Sequence, residues 1–367
     1  VKAGMMTVRC LLLLLGMVCA RTTGTADAPP PAHRAHGNSP AVASRLPDTV
    51  SALLFAGFNV RRLTVNGPRG MCMNGGADTA RVHTIALAGG ALVVDGVKAS
   101  GCTLAPPASG VLELSTGRKR KRLSGSVTIS AGEDRLVIVG YMALRDYLAA
   151  ALSTEASGSD PMEFLVALSA VQRNYVASHR GRHAPLADLC DVTHCQLADF
   201  SGVSPRIQAA VARAMSISLT AGEGLPCYYS AACGGSTLTP AQIWRTAEPG
   251  YSGVICRHCR HSLRFRWERT IEATPEIEAI IRQAPSPPFI DDDFKIRLGR
   301  VAGFNKALSN TIDRLERRGR RYVIAGRGFG HRVGLCMEGA RELARHGRSA
   351  VDILRFYFPL ARVQVQQ

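Results

Sequence analysis

Between about Asp48 and Gly140 the chain never runs far without a turn signal, and this punctuation narrows the fold. Short β-type runs alternate with turn dipeptides: Leu63-Thr64-Val65 before Asn66-Gly67, Ala91-Leu92-Val93-Val94 before Asp95-Gly96, then Val127-Thr128-Ile129. Asn-Gly and Asp-Gly accept the positive φ angles of tight hairpin turns, so the pattern predicts antiparallel sheet. From Tyr141 the period becomes helical. One helix is predicted over about 143–152. A second follows Ser159-Asp160-Pro161, with Leu165, Leu168, Val171 and Tyr175 as its buried stripe, and a third covers roughly 205–216. Strand and turn text returns between Leu219 and Trp267, 283–293 reads as a loop, and a last helix is predicted over about 338–346. The expected class is α+β: a β-rich N-terminal part over 48–140, then a mixed α/β part over 141–364 that closes on a glycine-rich motif.

The first residues bear on location. Lys2 and Arg9 precede an apolar run from Cys10 to Ala20, and Ala26-Asp27-Ala28 forms a small-residue cleavage signature. Residues 1–28 read as a secretory signal peptide, whose core of about eleven residues is too short to span a bilayer comfortably. Residues 29–47, rich in Pro, Ala and His, read as a linker. The mature chain is expected to be exported, to a periplasm or cell envelope, without a transmembrane segment. The 45 basic and 28 acidic residues give a net charge of +17, which favours polyanionic partners. Nucleic acid is not the expected one: aromatics are only 6%, and no basic stretch is interleaved with the rings that stack on bases.

The most specific text is Gly326-Arg327-Gly328-Phe329-Gly330-His331-Arg332-Val333-Gly334-Leu335-Cys336-Met337-Glu338-Gly339-Ala340. Alternate glycines let backbone approach a neighbour closely and hold His331 on a rigid turn. A phosphate-loop reading fails, because no Lys-Ser/Thr follows. Three other blocks stand in order: Asp146-Tyr147 with Glu155 eight residues on, Asp191-Val192-Thr193-His194-Cys195-Gln196, and Tyr229-Ser230-Ala231-Ala232-Cys233-Gly234-Gly235-Ser236-Thr237 with Trp244 after it. Together with Tyr357-x-Pro359, these resemble the signatures of the SpoIID/LytB family, stage II sporulation protein D and its amidase-enhancer relatives, over roughly 48–364. Arg332 stands where the family has glycine, Leu360 where glycine follows the proline, Met337 near a usual glutamine, and Val166-Ala167-Leu168 in place of Lys-Ala-Gln.

The resemblance implies a lytic transglycosylase acting on peptidoglycan glycan strands, with 141–364 as its catalytic part and Glu155 as the catalytic acid. Such a reaction needs one carboxylate where hydrolytic glycosidases normally need two, because the sugar's own 6-hydroxyl is the nucleophile. Glu155 ends an apolar helix and is followed by Ala-Ser-Gly-Ser; burial there would hold its proton. Without the resemblance it reads as a solvated glutamate at a helix end. Arg173 lies at the spacing of the family's functional arginine. Tyr175, two residues on, is about 200° round the helix and cannot share its direction, so it reads as core. Tyr229, Ser230, Gly234, Gly328 and His331 are the expected substrate-binding residues, with His331 also readable as a satisfied structural histidine. The other expectation is a non-catalytic wall-binding protein that stimulates a cell-wall amidase.

Nine cysteines remain beyond the leader, an odd number that leaves at least one free thiol, intermolecular partner or metal ligand. Cys190, His194 and Cys195, with His183 upstream, have the ligand types of a structural Zn2+ site, which the resemblance also implies; a Cys190–Cys195 disulfide is the alternative. Cys256-x-x-Cys259 reads as a redox pair, half of a metal site or half of a disulfide cluster with Cys227 and Cys233; in an exported chain the disulfide cluster is the expected choice, with Cys336 as the candidate unpaired thiol. The basic run Arg118–Arg122 reads as a solvated hairpin tip, and Arg314, Arg317, Arg318, Arg320 and Arg321 form a second cluster. Exposed charges are screened beyond about 8 Å at physiological salt. Binding to insoluble sacculi should therefore weaken as salt rises while turnover of short soluble glycans changes little. Salt-insensitive sacculus binding would show that the charge does not serve adsorption.

Overall fold

Alternation along the first strands sets up the core. In Thr49–Leu53 and Arg62–Asn66 every second residue turns inward, so Val50, Ala52, Leu63 and Val65 are buried while their neighbours stay wet. The structure, a computed structural model, describes residues 48–222 and 225–366. The expected signal peptide and linker lie outside the described residues.

The N-terminal part is two sheets sharing one core. One has the order Leu189–Cys190, Thr49–Leu53, Leu136–Ala143, Gly125–Ala131, Cys102–Ala105, Cys72–Met73, Gly76–Ala77; the other Arg120–Leu123, Leu112–Ser115, Arg62–Asn66, Val82–Ala88, Ala91–Val94, Val97–Ala99. Asp95-Gly96 is a two-residue hairpin in which Val94 faces Val97, and both central residues have positive φ, 50° and 86°. Asn66-Gly67 is not. Pro68 follows it, a longer loop holds the small pair Cys72–Met73/Gly76–Ala77, and Arg62–Asn66 instead pairs with Val82–Ala88.

The helices follow: α1 (Leu144–Glu155), α2 (Met162–His179), α3 (Pro205–Ala214), α4 (Pro240–Trp244), α5 (Pro275–Arg282), α6 (Asp292–Ala302), α7 (Met337–Arg345) and α8 (Ala350–Tyr357). α1 runs a turn beyond its expected end, so Glu155 is its last residue. α2 is buried nearly all round, not on one stripe, because α1, α3, α7 and α8 surround it. Val166, Ala167 and Leu168 are at most 1% exposed, which accounts for apolar residues there.

Residues 266–327 depart most from expectation. Arg266–Glu272, Arg321–Arg327, Thr311–Arg318 and Phe289–Ile290 form a sheet, covered by α5 and α6, around a separate core of Trp267, Ile271, Ile277, Phe289, Phe294, Leu298, Ala307, Ile312 and Ile324. The predicted loop over 283–293 is a strand plus a helix start: Asp291 caps α6 by accepting from Phe294 N at 2.9 Å. The second basic cluster lies on this hairpin, and Arg314, Arg317, Arg318 and Arg321 each face a carboxylate there, on Glu268, Glu278, Glu316 and Glu272.

The first basic run is only partly a solvated tip. Arg118, Lys119, Arg120 and Arg122 are exposed, but Lys121 turns inward between the Phe55 and Phe200 rings. Its Nζ lies 2.9 Å from Asp191 Oδ2, and the Asp191 side chain is 2% exposed. The same carboxylate accepts from Phe55 N at 2.6 Å and Ala56 N at 3.0 Å, tying the first strand to the segment after α2. Removing one member of a buried ion pair strands the other. Lys121→Met should cost about 3 kcal/mol in urea unfolding, whereas Arg120→Ala should cost less than about 0.5 kcal/mol. Equal losses would mean that the Lys121–Asp191 contact carries no stability.

Candidate active site and metal centres

α1 delivers Glu155 to a cavity of about 160 Å³ whose other lining residues are Tyr175, Thr193, Cys195, Gln196, Leu197, Tyr228, Tyr229 and His331. Glu155 is the one acid among them. Tyr229 Oη donates to Glu155 Oε1 across a long 3.5 Å, and Gln172 Nε2 donates to the same hydroxyl at 3.4 Å. Burial pushes the Glu155 carboxyl above its ordinary value; the Tyr229 hydroxyl and the charges of Arg341 and Arg264 pull the other way without cancelling it. Burial also raises the Tyr229 phenol, so it remains a neutral donor.

Arg341, on α7, fixes the end of α1. Its Nη2 donates to the Glu155 carbonyl at 3.2 Å, its Nε lies 3.0 Å from Asp160 Oδ1, its Nη1 3.1 Å from Glu338 Oε1, and its guanidinium stacks 4.4 Å over Phe164. That carbonyl is one of the last a helix leaves without an internal partner. On the opposite wall Tyr229–Ser230 runs parallel to Leu335–Cys336, which brings the two glycine-containing blocks side by side. Ala232 and Phe329 exchange backbone hydrogen bonds, and a Cβ on Gly234 would sit 2.5 Å from Gly328 N. Gly234 and Gly328, at φ +64° and +78°, therefore serve close backbone approach, and neither lines the cavity. Ser230 is buried beneath the turn at Gly330.

His331 lines the cavity as a satisfied neutral ring. Its Nδ1 accepts from Val333 N at 3.0 Å, and its ring packs on Trp244 at 5.2 Å. Burial and the nearby Lys295 charge lower it to about 3, against a backbone hydrogen bond with Tyr229. Arg173 does not reach the cavity: its guanidinium donates to Ile217 O at 2.9 Å on the other side of α2. The half-turn separating Arg173 from Tyr175 holds, but Tyr175 is the one at the cavity, buried and with one edge on its wall. Gln172 and Tyr228 were not anticipated. Each adjoins an expected residue, and the helical phase of Tyr175 points to Gln172's neighbourhood better than to Arg173's. Behind Tyr228 stands Glu248, which accepts its hydroxyl at 3.1 Å and is pushed up to about 7 by burial.

Among the described residues, two groups of side chains could bind a metal. In the first, one ligand atom each from His183, Cys190, His194 and Cys195 lies within 4.8 Å of the others. His183 Nε2 is 3.3 Å from Cys195 Sγ, and His194 Nδ1 is 3.7 Å from Cys195 Sγ and 3.9 Å from Cys190 Sγ. These separations match the edges of a tetrahedron with zinc-like bonds of about 2.0–2.3 Å. The second is Cys233, Cys256, Cys259 and Cys336, all buried. It corrects two expectations: Cys227 lies outside it, and Cys336 belongs to it because the parallel pairing with Tyr229–Ser230 carries it there. No disulfide joins the described cysteines.

Residues 132–225 match the family model of SpoIID, the stage II sporulation protein. The chain carries a SpoIID domain. An uncharacterized protein of Brachyspira hyodysenteriae is 25% identical over 266 residues, covering 64% of this chain and 70% of that protein. The matched SpoIID segment contains α1 with Glu155, α2, the His/Cys group and α3, whereas Tyr229, His331 and Arg341 come from beyond it.

A raised carboxyl inside the SpoIID domain has a thermodynamic signature. With the folded-state pKa above the unfolded value, the unfolded chain loses this proton first as pH rises, so stability falls above about pH 4.3, the ordinary Glu value. Glu155→Gln removes that penalty. The variant should melt above the parent at pH 7 and close to it at pH 4; the same difference at both would show that burial does not hold the proton.

Proposed function

We propose that the protein is an exported lytic transglycosylase that cuts peptidoglycan between N-acetylmuramic acid and N-acetylglucosamine. The observation that carries this is one half-buried glutamate of raised proton affinity, alone of its kind in the cavity lining and tied to a neutral tyrosine. The SpoIID match supports it, since that family is linked to peptidoglycan remodelling. No helix among the described residues is long and apolar enough to cross a membrane.

In this reading the protonated Glu155 gives its proton to the glycosidic oxygen as the bond to the muramyl anomeric carbon breaks. The muramyl 6-hydroxyl oxygen bonds to that carbon and closes the 1,6-anhydro ring, while the carboxylate takes the hydroxyl proton. The N-acetylglucosamine leaves with a new hydroxyl and Glu155 is protonated again, so no water is consumed. Tyr229 stabilises the carboxylate between the two transfers, and Arg341 keeps the end of α1 at a fixed distance from the wall. A zinc ion at His183, Cys190, His194 and Cys195, with four protein ligands, has no open position; it would stiffen the 193–197 wall of the cavity and activate nothing.

The cavity's size favours a second reading. At about 160 Å³ it is smaller than most sites for sugar-sized ligands, which fits a protein that grips the wall and stimulates an amidase. Digesting intact and stem-stripped glycan strands, with mass spectrometry of the products, separates the two. Anhydro-muropeptides should be released by the parent, and Glu155→Gln and Glu155→Ala should lower release at least ~100-fold, the scale of a lost general acid. Release should also decline as pH rises past the raised Glu155 value. Full activity in either variant would remove Glu155 from the chemistry, and no release by the parent together with faster amidase turnover would favour the second reading.

A further inference from the structure

Cys233, Cys256, Cys259 and Cys336 come from positions up to 103 residues apart, and each is at most 1% exposed. Their sulfurs all lie within 4.8 Å of one another, with Cys233 Sγ and Cys259 Sγ 3.4 Å apart. A disulfide needs about 2.05 Å. Four sulfurs at about 2.3 Å from one ion would stand about 3.8 Å apart. An iron–sulfur cluster sets further iron and sulfide atoms between its cysteines and needs a wider cage.

The surroundings are those of anionic sulfur. Cys336 caps α7, and its Sγ accepts from Cys233 N at 3.2 Å and Gly339 N at 3.4 Å, at the positive end of the helix. Tyr357 Oη lies 3.3 Å from Cys256 Sγ. The buried Arg332 guanidinium donates from Nε to Cys233 O at 2.6 Å, placing a cation beside a group that would carry a net charge of about −2 with a divalent ion. Gly339 is required for space: a Cβ there would meet Cys256 Sγ at 2.8 Å.

We propose that these four cysteines bind one zinc ion as a tetrathiolate, and that the ion staples the cavity's glycine-rich wall to α7. Thiolate softness and tetrahedral spacing select zinc over hard cations. Cys336 lies between His331, on the cavity wall, and Arg341, which holds the Glu155 carbonyl. The ion therefore sets both sides of the cavity from one point. The inference does not depend on the transglycosylase reading, because its test is metal content and ligand type.

Full-length protein purified with reductant should contain about two zinc ions, with zinc X-ray absorption averaging three sulfurs and one nitrogen per ion at distances of about 2.0–2.3 Å. Cys190→Ser should lose one ion, and the zinc it keeps should show four sulfurs. Cys256→Ser should lose one ion and leave a mixed nitrogen and sulfur shell. Should either variant fail to fold, the parent's stoichiometry and averaged shell still decide. A single zinc with four sulfurs in the parent would also uphold the proposal. A single zinc with two nitrogens and two sulfurs would overturn it, as would iron in its place or disulfides mapped among the four cysteines. For the stapling role, hydrogen exchange over 328–345 should quicken at least tenfold in Cys256→Ser relative to Cys190→Ser. Equal exchange in the two would overturn that role.

Discussion

Arg341 joins three separate parts of the chain at one point. One guanidinium bonds Asp160 at the start of α2, Glu338 on its own helix and the last-turn carbonyl of α1, while its face covers Phe164. Its side chain is 12% exposed and that of Asp160 14%, so the pair is largely desolvated. Such a pair contributes less to net stability than to fixing one arrangement over its near neighbours, since breaking it strands a buried charge. Here the arrangement concerned is the distance between the end of α1 and the C-terminal motif. A glutamate at a helix end is otherwise held by a fraying last turn; this one is held from outside.

The C-terminal motif shows why its glycines and its exceptional arginine occur together. Gly328, Gly330 and Gly334 all have positive φ, and a Cβ at Gly334 would strike the Tyr228 backbone. Arg332 also has positive φ, 67°, at a cost of about 1 kcal/mol for a residue with a Cβ. The compensation is visible: its guanidinium reaches Cys233 O and Ser236 O and Oγ in the facing block, and Thr311 Oγ1 at the start of the Thr311–Arg318 strand. Where glycine would only permit the turn, arginine also fills and neutralises its interior.

Local chemistry was legible wherever the local chain decides the outcome. Asp95-Gly96 makes its hairpin because both residues tolerate positive φ, and α1 and α2 form where their periodicity places them. Glu155 is marked only by the family resemblance, its own local text reading as a solvated helix end, whereas the His183, Cys190, His194, Cys195 group shows in its ligand types. The failures are tertiary. Asn66-Gly67 carries the same turn chemistry as Asp95-Gly96, but the following Pro68 and the claim of Val82–Ala88 on its strand prevail. Arg173 has the right distance along the chain and the wrong rotation about the helix. The four-cysteine group is spread over 103 residues, and only the parallel pairing of Tyr229–Ser230 with Leu335–Cys336 assembles it. α6 begins at Asp292, inside Pro- and Asp-rich text over 283–293 that reads as loop until the cap at Asp291 is recognised.

The body formed by 266–327 enters and leaves on paired neighbours, for Arg266 sits opposite Arg327 in its sheet. An insert whose two ends already touch adds almost no closure entropy to the fold that carries it, whatever its length. Its own core means that it need not borrow apolar surface from its host. Its seam with the cavity is nonetheless a working one: Thr311 accepts from the Arg332 guanidinium, Asn310 bonds the His331 carbonyl, and the Lys295 charge lowers the His331 ring. Changes on the far face of this body could therefore alter what the protein meets at its surface without reaching the cavity, whereas changes along the seam would be felt at His331.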